Sequence, residues 1–76
     1  TTIEYQLKES SFVCIEIYNI KGQRISTLVN ETKKSGYHRI IWNGTDANGS
    51  ILSAGVYLCK MMAGNYSSSM KMILMN

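Results

Sequence analysis

Few residues in this chain of 76 are of a type and spacing that could do chemistry. His38 is the single histidine. No serine or cysteine is placed to form a triad with it, and it shares a predicted strand face with Ile40 and Trp42, so it reads as a packed or rim residue. The acidic residues Glu4, Glu9, Glu16, Glu31 and Asp46 stand singly. A glycosidase-type carboxylate pair would therefore have to be assembled by the fold alone. Asp46-Ala47-Asn48-Gly49 begins as a calcium loop does, but it lacks the third oxygen position and the closing bidentate glutamate. It reads as a turn with an Asx cap. No cofactor motif and no metal-ligand set is recognised.

The two cysteines, Cys14 and Cys59, lie in different predicted strands. Cys14 alternates with Val13 and Ile15 and should point outward, whereas Cys59 shares a face with Tyr57 and Met61. If that second face is inward, the side chains cannot reach disulfide geometry, and two free thiols are expected. Trp42 follows Ile40 and Ile41 directly and opens a turn, which suits a core pin better than a sugar-stacking platform. Tyr18 and Tyr37 are the alternative platform. Asn30, Asn43 and Asn65 each begin a glycosylation sequon, and each is read first as a turn residue.

The elements that must position these residues follow a period of two. Ile3, Tyr5 and Leu7 alternate with Glu4 and Gln6, and Lys8 to Ser11 is a polar break. Val13, Ile15 and Ile17 make a second strand, ended by a turn at Asn19–Gly22 with Gly22 in the positive-φ position. Arg24 to Val29 is a third strand, short or irregular because Ile25 and Leu28 break the alternation. Asn30 to Gly36 reads as a loop. Tyr37 to Trp42, Val56 to Met61 and Tyr66 to Met75 complete the set. Between the fourth and fifth, turn signals stand at Asn43-Gly44 and Asn48-Gly49, and Gly55 admits the next strand. These features predict an all-β, antiparallel Ig-like or fibronectin-III-like β-sandwich of six or seven strands. A small open barrel shares the same pattern.

Bulk properties narrow the function. A single domain of this size buries only about 60–65% of its unfolded surface. The net charge of +3 is spread over scattered lysines and arginines, with only Lys33-Lys34 adjacent. No basic stripe interleaved with aromatics is present, so no nucleic-acid partner is expected. No apolar run is long enough for a membrane-spanning helix. The chain starts at Thr1 without an initiator methionine, which reads as a terminal module of a larger protein.

Taken together, TTIEYQL, FVCIEIYNIKGQRISTLVN, GYHRIIWNGTDANGSILSAGVYLCKM and MKMILMN resemble, in order and across the chain, the C-terminal sorting domain of type IX secretion cargo. The related Ig-like domain of the flagellar hook-capping protein shares the W-[DN]-G-x-D-x-x-G core and the G-[VI]-Y strand. The resemblance implies a non-catalytic module covalently continuous with an N-terminal cargo domain. Its implied partners are the type IX translocon and a sortase-like peptidase, and its implied location is the cell surface or medium, reached through the periplasm and outer membrane. It maps structural roles onto Gly22, Trp42, Asn43, Gly44, Asp46, Gly49, Gly55 and Tyr57, and recognition onto Lys71, Met72, Ile73, Leu74 and Met75. The sequence departs from the family in five places. The Asn-Pro-rich segment before TTIxY is absent, Lys8 replaces a frequent proline, Cys14 and Cys59 are unusual, and the tail closes on Met75-Asn76. The alternatives are an Ig-like spacer or carbohydrate-binding module of a glycoside hydrolase, and a hook-capping-type assembly domain. In the first reading, the Pro-free, β-prone segment from Ser67 to Met75 offers a sheet edge that a partner extends by strand addition.

Overall fold

The structure is a computed structural model that describes residues 1–75, and these form six strands without a helix. They are β1 (Thr2–Leu7), β2 (Ser11–Tyr18), β3 (Arg24–Lys33), β4 (Gly36–Ile41), β5 (Gly55–Ala63) and β6 (Tyr66–Leu74). All pairings are antiparallel, in a four-stranded sheet of order β3-β2-β5-β6 and a two-stranded sheet of β1 and β4. The chain is thus the all-β sandwich that its alternation predicts.

The core lies between the layers. Ile3, Tyr5 and Leu7 point down from β1, and Val13, Ile15 and Ile17, fully buried, point up from β2. Tyr57, Cys59 and Met72 continue the floor on β5 and β6, and Trp42 closes one end. Cys14 and Cys59 fall on opposite faces of the larger sheet, because Cys59 pairs with inward-facing Ile17 while Cys14 alternates with it. Both thiols are free, and burial pushes both pKa values up.

Several boundaries differ from expectation, β5 among them, which runs on from Met61 to Ala63. β3 is not short; it runs through Asn30 to Lys33, so the predicted loop shrinks to residues 34–35 and Asn30 is a strand residue paired with Cys14 rather than a turn residue. Its irregularity has a local cause. Register shifts leave Leu28 and Ile25 as extra residues, since Val29 and Thr27 oppose Ile15 and Glu16, and Ser26 and Arg24 oppose Ile17 and Tyr18. Each bulge turns an apolar side chain back onto the core, where Ile25 and Leu28 pack partly buried. Trp42 lies one residue past β4, and Met75 lies past β6.

Candidate functional site

The loop from Trp42 to Gly55 is built on backbone hydrogen bonds rather than on reactive groups. Trp42 N–H donates to the Thr1 carbonyl at 2.8 Å, and the Thr1 amino group donates to the Trp42 carbonyl at 3.0 Å, so β1 and the loop close on each other. The Trp42 indole is 2% exposed, donates Nε1–H to the Thr45 carbonyl at 3.1 Å, and meets Tyr57 edge-on at 5.5 Å. Tyr57 in turn donates its hydroxyl to the Ser53 carbonyl at 2.6 Å. These contacts leave neither ring a stacking face for a sugar. Asp46 Oδ1 accepts the N–H groups of Asn48 and Ser50, both at 2.9 Å, which is the Asx turn the sequence suggested. Leu52 N–H returns to the Gly44 carbonyl and Ala47 N–H reaches the Ile25 carbonyl on the free edge of β3. The loop therefore covers one side of the sandwich.

Gly44 links this loop to the last strand. At φ +78° it occupies the left-handed region, and a Cβ there would stand 3.0 Å from Leu74 Cδ1. Asn43 and Gly44 hold the turn against which the end of β6 packs, while Asn43 Oδ1 accepts the Thr45 hydroxyl at 2.6 Å. Of the remaining structural positions, Gly49 donates to the Asp46 carbonyl, Gly22 closes the β2–β3 turn on Asn19, and Gly55 opens β5.

Lys71 to Leu74, to which the resemblance assigns recognition, are the last residues of β6, an edge strand paired only with β5 among the described residues. Met72 is buried over Tyr57, Leu74 half-buried, and Lys71 and Ile73 face solvent. The β5–β6 hairpin is closed by Gly64-Asn65 between paired Ala63 and Tyr66, with Gly64 at φ +60° and Asn65 at negative φ, a type II′ arrangement. A closing pair of this kind exchanges both backbone bonds. Counting along the ladder, Ser67, Ser69, Lys71 and Ile73 direct their N–H and C=O groups to the unpaired edge.

Two features escaped the sequence. The first is a polar cluster on the outer face of the larger sheet. Glu16, 7% exposed, accepts from the Arg24 guanidinium and the Tyr18 hydroxyl, each at 2.9 Å, with Lys60 Nζ 6.0 Å from the Tyr18 ring centre. The Arg24 bond, then the Tyr18 bond, hold the Glu16 carboxyl below its ordinary value. Glu16 and Tyr18 share a face by alternation, but Arg24 joins them only through the bulge at Ile25. The second is an open groove of about 640 Å³ between β1 and the β5–β6 hairpin, floored by Cys59, Met61, Tyr66 and Met70. Tyr66 and Met70 lie on the inner face yet remain 61% and 48% exposed. His38 is elsewhere, half-buried, stacked on Tyr5 at 5.2 Å and bonded through Nε2 to the Lys34 carbonyl at 2.7 Å.

Compared with known families, residues 1–68 match the FlgD Ig-like domain. Comparison with curated proteins and with solved structures gives no match.

Proposed function

This chain belongs to the FlgD Ig-like domain family, and from that premise we propose that it is a non-catalytic delivery module, which carries an attached secreted cargo through the type IX system to the cell surface or medium. The observation that carries this reading is the position of β6. The strand bearing Lys71 to Leu74 lies at a sheet edge with its alternate backbone groups unpaired, and such an edge binds a partner by strand addition. The choice of partner rests on the resemblance to the sorting domain and on the extent of the family match. The chain resembles the sorting domain in order along its length, and the FlgD Ig-like match ends at residue 68, so Lys71 to Met75 lie outside it. The translocon reads β6, a sortase-like peptidase severs the module, and any catalysis belongs to the cargo. Trp42, Gly44 and Tyr57 serve as the frame that fixes β6.

The test is a reporter carrying a signal peptide fused to residues 1–76 and expressed in a type IX host. Reporter at the surface or in the medium, lost on truncation after Ser69, supports the assignment. Reporter held in the periplasm, with the truncation making no difference, refutes it. The family match itself favours a second reading, an assembly module of the hook-capping type. That reading requires a flagellar assembly region upstream in the parent chain and a flagellated source.

A further inference from the structure

The sandwich is covered unevenly. On the β4 side the Trp42–Gly55 loop reaches the edge of β3, whereas on the β1 side nothing among the described residues covers Tyr66 and Met70. The Thr1–Trp42 pair exchanges both backbone bonds. By alternation, Ile3, Tyr5 and Leu7 bond to β4, and Thr2, Glu4 and Gln6 turn their N–H and C=O groups to the open side. Two edges unpaired among the described residues, β1 and β6, thus flank one apolar groove in different layers.

We propose that this groove is filled by a second copy of the chain, in a closed two-fold dimer in which β6 of each copy pairs with β1 of the other. An axis parallel to the strands, running through the groove, exchanges the layers of the two copies. It places the partner's β6 beside β1 and β1 of the partner beside β6, giving two six-stranded sheets of order β4-β1-β6-β5-β2-β3, with β4 and β1 from one copy and the rest from the other. β1 and β6 run antiparallel, as the ladders β1–β4, β2–β5 and β5–β6 with their short connections require. Their ends also coincide. Thr1 is bonded to Trp42, and Gly44, two residues on, touches Leu74, while Leu7 lines the groove beside Tyr66 at the other end. At matched height Glu4 faces Lys71 of the other copy, Thr2 faces Ile73 and Gln6 faces Ser69. All six direct their backbone groups to an open edge, so the register satisfies the ladder on both sides.

Charge selects this pairing over the simpler ones. A two-fold β1–β1 contact centred on the strand sets Glu4 against Glu4, and a β6–β6 contact near the strand end sets Lys71 against Lys71; like charges directly opposite are destabilising. The β1–β6 contact sets Glu4 against Lys71, twice per dimer. Glu4 already has Arg39 and Tyr37 on its β4 side, and Lys71 meets it from the open side. The same axis brings the exposed Tyr66 and Met70 of both copies together in the shared core. The contact is isologous and closes at two copies, so it gives a dimer and not a fibre. It also hides the edge used for strand addition, although it stands independently of the proposed delivery role.

The test is sedimentation equilibrium on purified residues 1–76 across micromolar to millimolar concentrations, with circular dichroism confirming that each variant is folded. Wild type dimerises. Glu4→Lys and Lys71→Glu each weaken the dimer by at least about tenfold, because every pair occurs twice, and combining them restores it. A wild type that stays monomeric throughout overturns the proposal, as does a double variant no tighter than the singles. Neither result bears on the reporter assay, where export is scored without reference to assembly.

Discussion

Trp42 decides between a pinned core and an exposed binding platform. Its indole is 2% exposed, its Nε1–H donates to Thr45, and its ring meets Tyr57. Trp42→Phe keeps a ring for Tyr57 but removes the donor and part of the buried area, for a loss of about 2 kcal/mol. Trp42→Ala also leaves a cavity and costs about 3–5 kcal/mol. A domain of this length has about 4–11 kcal/mol in total, and its unfolding entropy near the midpoint is about 0.16 kcal/mol/K. Trp42→Phe should therefore lower Tm by about 12 °C, and Trp42→Ala by about 19–31 °C. Trp42 is the single tryptophan, so emission reports the site directly. Wild type should emit in the blue and resist acrylamide, and Trp42→Phe should be followed by circular dichroism instead. A shift below about 3 °C on either substitution, with loss of affinity for an insoluble polysaccharide, would show that the indole serves a ligand and not the core.

Gly44→Ala places a methyl group against Leu74 at a left-handed backbone position. It should cost about 1–3 kcal/mol and speed amide exchange at Met72 to Leu74 more than in β2, as read by hydrogen-exchange mass spectrometry. Glu16 has its pKa lowered in the fold by Arg24 and Tyr18. The stability it confers is complete above the unfolded carboxylate value of about 4.3 and is lost as pH falls through the lower folded value. Chemical denaturation from pH 7 to pH 2 should show that acid loss, and Glu16→Gln should reduce its slope below about pH 4.3. Half-buried Cys14 should be alkylated by iodoacetamide at pH 8 well before buried Cys59, whose labelling should track unfolding. Equal rates in native buffer would contradict the face assignment.

How much could be read before the structure depended on how local each cause is. Alternation in TIEYQL and in FVCIEIY placed β1 and β2, because one buried face imposes a period of two. Gly22, Gly44 and Gly49 marked reversals because the backbone there needs positive φ. The length of β3 was hidden because its bulges at Ile25 and Leu28 disguise the period, and NETK has the composition of a loop although its groups are paired to β2. Arg24 meets Glu16 for the same reason, through a register that neither residue encodes alone. The uncovered side of the sandwich was the least legible feature. Tyr66 and Met70 alternate as core residues do, and the sequence cannot show that no strand among the described residues lies over them. An apolar inner face left bare beside two unpaired edges is an aggregation hazard unless something selects its partner. On β1 the edge-facing charge is Glu4, and on β6 it is Lys71. Opposite single charges on the two edges disfavour each edge meeting its own kind and favour each meeting the other, so the placement of two residues turns an open groove into a surface with a specific complement.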